Sequence, residues 1–143
     1  MRLSDYLKKL LGLAETLHRW SAVLATLDRA RRKRIAVFAE KIAGTLARAS
    51  DALLRLQVDP ADGAAMRQAI REFGRIAGYV ETIVHVLENH LDGRKLTGVK
   101  RRLEQLVSAG IDGREAVARV SLRIDRLNAA EGYFRALADA LRT

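Results

Sequence analysis

The chain has 143 residues, 49% hydrophobic and 30% charged, with one proline, no cysteine and a formal charge of +9. That is the size of one ordinary domain, and the composition excludes disorder, a disulfide framework, a thiolate metal site and a thiol nucleophile. Aromatics at 5% and a single proline argue against a β-sandwich or barrel and for helices built on small aliphatic residues.

The first element opens at Ser4, a good N-cap. Leu3, Leu7, Leu10, Leu13, Leu17, Trp20, Leu24 and Leu27 follow at helical spacing, so a helix is predicted over residues 4–27. Lys8 and Lys9 break its apolar run, and Glu15, His18 and Arg19 arrive before any small-residue cleavage site, which is not the pattern of a secretory signal. No charge-free run is long enough to span a bilayer; residues 20–27 are typical. The absence of cysteine fits a reducing compartment, and the expected location is cytoplasmic.

The basic run Arg29, Arg31, Arg32, Lys33 and Arg34 comes next, with Asp28 placed to cap a second helix over 30–57. Its inward line is Ile35, Phe38, Ala39, Ile42, Leu46, Ala49, Leu53 and Leu56. Asp59-Pro60 then stops one helix and starts another, with Asp59 as cap, Pro60 at the first helical position and Asp62 near the positive end of the dipole. The third helix, predicted over 60–92, carries the longest stripe: Met66, Ile70, Phe73, Ala77, Val80, Val84, Leu87 and Leu91. Ala69, Ile76 and Ile83 lie just beside it, and Gly93 suits the C′ position. The rest of the chain is expected to organise around this helix. Gly74 and Gly78 flank Ala77 and would admit a neighbouring helix closely.

A short fourth helix is predicted over 95–109 with Leu96, Val99, Leu103 and Leu106 inward. It closes at Ala109-Gly110-Ile111 in the manner of a Schellman motif. Asp112 and Glu115 resemble a capping box and open a fifth segment over 113–141, carrying Val117, Val120, Ile124, Leu127, Phe134, Leu137 and Leu141. Short connections imply antiparallel neighbours. The predicted fold is a single all-α, up-and-down antiparallel helical bundle of four long arms, the last broken into two, giving five segments.

Charge is unevenly spread. Eight bases and two acids leave +6 over residues 29–57, three bases and six acids leave −3 over 58–93, and five bases and two acids leave +3 over 94–112. An up-and-down bundle brings the start of the second helix, the end of the third and the start of the fourth to one end. Arg29, Arg31, Arg32, Lys33, Arg34, Arg94 and Lys95 should gather there, with Lys100, Arg101 and Arg102 a turn or two below. Glu81, Glu88 and Asp92 approach the same end, too few to neutralise it. The first reading of this end is a solvated, charge-balanced helix end; the second is an anion-binding end, which suits phosphate.

Signals for chemistry are weak. Glu81, His85 and Glu88 share a helical face, but a carboxylate-bridged metal bundle needs Glu-x-x-His on two helices plus two further inward carboxylates, and the chain does not supply that set. No catalytic residue, cofactor or metal is assigned. Trp20, Phe38, Phe73 and Phe134 read as core, Tyr79 as a partly covered ring, and Glu131 as a sign of a loosened helix or a register shift. Helix one resembles an interfacial amphipathic helix, yet its seam matches the other helices and places it in the core.

The leading functional expectation is a non-enzymatic helical interaction module, an adaptor or small subunit of a larger intracellular assembly, binding a partner protein. The alternative is a sequence-nonspecific nucleic-acid-binding protein using the basic end formed by residues 29–34 and 94–102. A membrane-active bundle that releases helix one comes third. Self-association is compatible with all three.

Overall fold

The structure, a computed structural model, describes residues 3–87, 97, 101 and 124–142. It contains helices α1 (Leu3–Arg19), α2 (Ser21–Leu24), α3 (Arg29–Val58), α4 (Gly63–Leu87) and α5 (Ile124–Arg142), packed on one another, and no strand among the described residues. The expected bundle is therefore present. Thr97 and Arg101 are helical and exposed. Otherwise the predicted segment 95–109, the turn signals at 109–115 and the end of the third helix with Gly93 lie outside the described residues.

Among the described residues α3 is the helix with a long neighbour on each side. It packs as extensively on α5 as on α4, whereas α1 rests on α5, and α2 touches α1 and α5. The sequence of α3 explains this. Beyond the line Ile35, Ala39, Ile42, Leu46, Ala49, Leu53 and Leu56, it also buries Ala36, Ala43 and Ser50 on one flank and Thr45 and Ala52 on the other. A single neighbour needs an apolar arc of about 100°; two neighbours need a wider one. Alanines on both flanks let the neighbouring axes approach toward the short end of the roughly 8–10 Å range. Buried Thr45 stays satisfied by donating to the Lys41 carbonyl at 2.7 Å.

Pairings across the seams set the directions. Phe38 meets Tyr79 with ring centroids 5.9 Å apart, Arg48 Nε donates to Glu72 at 3.2 Å, and Arg55 donates to Gln68. As the α3 number rises the α4 number falls, so the two are antiparallel, and the last turn of α4 comes level with the first turns of α3. On the other side Arg142 pairs with Glu40. Because α5 packs along α3, this end-to-middle contact makes those two antiparallel as well. The basic first turns of α3 consequently lie beyond the level of Arg142.

The first arm is not one helix over 4–27. It ends at Arg19, where the Trp20 N–H is shared between the Thr16 and Leu17 carbonyls at 3.2 Å each. After the single turn of α2, Thr26 and Leu27 make i→i−3 bonds to Val23 and Leu24, both 3.1 Å, and Thr26 Oγ1 donates to the Val23 carbonyl at 2.6 Å. Tight bonds and a hydroxyl competing for the backbone end the helix without glycine or proline. Leu7, Leu10, Leu13, Ala14 and Leu17 are buried, so the leucine face of α1 is core. Among the described residues no helix is long and apolar enough to cross a membrane.

The start of α4 also departs from expectation. Asp59 accepts from the Ala61 N–H at 3.0 Å and its carbonyl from the Asp62 N–H at 3.1 Å, building a turn over Pro60. Asp62 is the cap, accepting from the Ala65 N–H at 3.0 Å. The stripe is rotated too. Ala69, Ile76 and Ile83 form its middle, Met66 and Ala77 are half-buried, and Ile70 is exposed. The rotation carries Glu72, only 5% exposed, into the buried arc, where it becomes the polar tie to α3. Gly74 and Gly78 are exposed, and among the described residues a Cβ at either would meet nothing within 4 Å.

Two consequences are measurable by urea or thermal unfolding. Gly74→Ala and Gly78→Ala should each stabilise the protein, by up to about 1 kcal/mol, because helix propensity improves and no contact is disturbed. Asp62→Ala should cost about 1 kcal/mol through loss of the cap, and Asp59→Ala less.

Candidate functional site

Asp28 is the N-cap residue of α3 by backbone conformation, with φ −60° and ψ 157°, and its carbonyl accepts from the Arg32 N–H at 3.0 Å. Its carboxylate makes no capping bond; it accepts from Arg31 Nη1 at 2.8 Å. The first turn contains no acid. Arg29, Arg31, Arg32, Lys33 and Arg34 are thus concentrated at the positive end of the helix dipole, each placed unfavourably by about 0.3–1 kcal/mol. Arg29, Lys33 and Arg34 are exposed, and none has an ion pair among the described residues; Arg32 is half-buried. Arg94, Lys95, Lys100 and Arg102 lie outside the described residues, and Arg101 is exposed.

The structure adds residues that segment-by-segment charge hides. Arg34, Lys41, Arg48 and Arg55 are all exposed and stand seven apart along α3. Seven residues fall about 20° short of two full turns. The four therefore line one side of the helix for roughly 30 Å at 1.5 Å per residue. On the outward side of α4, exposed Arg67, Arg71 and Arg75 follow at four-residue spacing, about 6 Å per step. The net charge of −3 over 58–93 conceals them because the described acids of that segment fall elsewhere, Glu88 and Asp92 lying outside the described residues. Asp59 and Asp62 occupy the turn. Glu72 is buried beneath Arg48 and Arg75, at 3.2 and 3.6 Å. The readable signal was the spacing, which total charge averages away.

Between Arg34 and Arg55 the surface opens into a cleft of about 330 Å³ lined by Val37, Glu40, Lys41, Gly44, Arg48 and Tyr79. The Lys41 ammonium lies 5.0 Å from the centroid of Phe38 and 5.9 Å from that of Tyr79, a cation–π arrangement on half-buried rings. Glu40 is tied on the opposite wall by Arg142. Two carboxyls of this region are perturbed. The hydrogen bond from Arg142, then its charge, holds Glu40 below the usual carboxylate range, and the hydrogen bond from Arg31 does the same for Asp28.

Other candidates are accounted for locally. Glu131 is half-buried and pairs with Arg135 at 2.9 Å, one turn on. A Glu-x-x-His spacing occurs at Glu15 and His18, but His18 stands edge-on to Tyr133 with centroids 5.5 Å apart. Glu81 and His85 are exposed on α4. Among the described residues no three His, Cys, Asp or Glu lie close enough to hold a metal ion.

No protein-family model matches the chain, and neither a curated protein nor a solved structure matches it.

Both depressed carboxyls belong to exposed ion pairs, and the sign of their pH dependence follows. Their stabilising contribution is complete above the ordinary carboxylate range and disappears as pH falls through the lowered values. An NMR titration of the side-chain carboxyls should find Glu40 and Asp28 below their ordinary values. Arg142→Ala should return Glu40 alone to the usual range, and Arg31→Ala Asp28 alone.

Proposed function

We propose that the protein is a non-enzymatic module that binds nucleic acid by its phosphate backbone, without reading base sequence. The observation that carries this is the continuous basic surface from Arg29 to Arg55 on α3, flanked by Arg67, Arg71 and Arg75 on α4. Most of its cations are exposed; of the acids beside them Glu72 is buried, Asp28 and Glu40 are ion-paired, and Asp51, exposed between Arg48 and Arg55, offsets one charge of the line. Cations in such a line lower their mutual repulsion by exchanging dispersed counterions for a chain of phosphates. The surface is the outside of a helical hairpin and not one protruding helix, so it follows a backbone and does not enter a groove to contact base edges. A cysteine-free chain of this kind suits the cytoplasm.

The second reading is an adaptor that docks a partner protein. Its particular support is Leu54 and Val58, 44% and 87% exposed, four residues apart at the far end of α3 from the basic turns. These two positions make a small apolar contact, and the arginines around them are a residue type enriched at protein interfaces.

The readings separate in a fluorescence-anisotropy titration against a labelled oligonucleotide at rising salt. Nucleic-acid binding predicts a log–log slope near 0.7 per phosphate contact on a single strand, and about 0.9 on duplex. Combining Arg29→Gln, Lys33→Gln and Arg34→Gln should weaken affinity at least tenfold and reduce the slope by about two to three contacts, with the melting temperature unchanged or raised. Absence of binding at low salt would discard this reading and leave the adaptor.

A further inference from the structure

Resting on the nucleic-acid reading, we propose that the cleft over Gly44 receives one unpaired base, so that the protein holds single strands more tightly than duplex. The basic surface alone has no reason to prefer either. The cleft does, because it combines the three groups that a nucleotide presents needs for. Tyr79 forms the α4 wall, backed by Phe38 at 5.9 Å, and offers an aromatic surface on which any base can stack. Lys41 and Arg48 bracket the floor three residues before and four residues after Gly44; Arg48 spends Nε on Glu72 and Nη2 on Thr45 and keeps Nη1 over Gly44, so that Nη1 and the Lys41 ammonium are the groups that would take the flanking phosphates. Glu40, anchored by Arg142, offers carboxylate oxygens to an exocyclic amino group, as acidic side chains do for cytosine N4.

Size and floor support the assignment. At about 330 Å³ the cleft is at the lower end of the roughly 300–1,000 Å³ range of small-ligand sites. Gly44 is half-buried in the middle of a thirty-residue helix, where alanine has the higher helix propensity. A Cβ there would meet only the Arg48 guanidinium, at 3.5 Å, an ordinary contact. Packing therefore does not demand glycine, and what its missing side chain leaves is the open floor between Lys41 and Arg48. The Lys41 ammonium lies over both rings; moving it onto a phosphate uncovers the Tyr79 ring for a base. A duplex keeps its bases stacked and paired and presents none to the cleft.

The test compares anisotropy titrations of Gly44→Leu, Gly44→Ala and the unaltered protein against one labelled 12-mer, single-stranded and annealed to its complement. Circular dichroism melts check the fold. Filling the floor with leucine should weaken single-strand binding about tenfold or more, the scale of one lost base stack, while duplex binding stays within about twofold; alanine should have a smaller effect in the same direction. Should Gly44→Leu fail to fold, an ¹H–¹⁵N titration of the unaltered protein with a trinucleotide decides. Shifts at Gly44 and Tyr79 support the cleft, and shifts confined to residues 29–34 overturn it. Single-strand and duplex binding that fall together, or neither falling, overturn the cleft while leaving the basic surface in place. If the unaltered protein binds neither strand form at low salt, the nucleic-acid reading fails and the cleft assignment with it.

Discussion

A helix wedged between two others keeps less than half of its circumference for water, and α3 is in that position. At 100° per residue its buried positions run from Ala36, Ala43 and Ser50 through Leu46 to Thr45 and Ala52, an arc of roughly 200°. Every ionised side chain beyond the first turns has to lie in what remains, because an unpaired charge in the arc would cost several kcal/mol. That constraint confines Lys41, Arg48 and Arg55, with Glu40 and Asp51, to the solvent side, where the seven-residue spacing sets the three bases in one line beside Val37 and Gly44. The same confinement that builds the core concentrates the charge.

The seam between α3 and α4 joins stability to the surface that faces solvent. Glu72 sits in the buried arc of α4 and its carboxylate is met from both helices, by Arg48 and by Arg75. Each guanidinium spends part of its charge downward on Glu72 and keeps about half its side-chain surface exposed. Two cations on one anion leave a surplus on the outside, so the ion pair that fastens the hairpin does not neutralise its face. Thr45 works similarly, donating to the Lys41 carbonyl and accepting from Arg48 Nη2 at 3.0 Å, which ties the direction of the arginine to the turn beneath it. At the N-terminal end the chain gives up stability instead: Asp28 bonds Arg31 and leaves the first turn without its side-chain cap.

Much of the fold was legible along the chain. The buried faces of α1, α3 and α5 fall on the leucine, isoleucine and phenylalanine lines that periodicity marks, because a 3.6-residue repeat of large apolar groups has one stable use in water. The two ends of α3 were legible, its start after Asp28 and its stop before Asp59-Pro60. Boundaries were misjudged where the decision is a competition between bonds of similar strength: Trp20 has no helix-breaking chemistry of its own, and Asp59 and Asp62 can each act as a cap. The basic start of α3 was visible as a run of residues. Its continuation through Lys41, Arg48 and Arg55 does not show in net charge by segment, which discards the angular position on which a surface depends.

The sequence by itself determined that this protein is helical, roughly where its helices run, and that positive charge is concentrated around residues 29–34. Those properties follow from neighbours along the chain: side-chain repeat, propensity and charge density. Only the tertiary structure decided that α3 packs between α4 and α5, that Glu72 is buried and Ile70 exposed, and that Gly44 underlies a cleft walled by Tyr79 from another helix. Each of these depends on which faces meet and in which direction, and a single periodic stripe is compatible with several rotations about its own axis until a partner's side chains occupy the space.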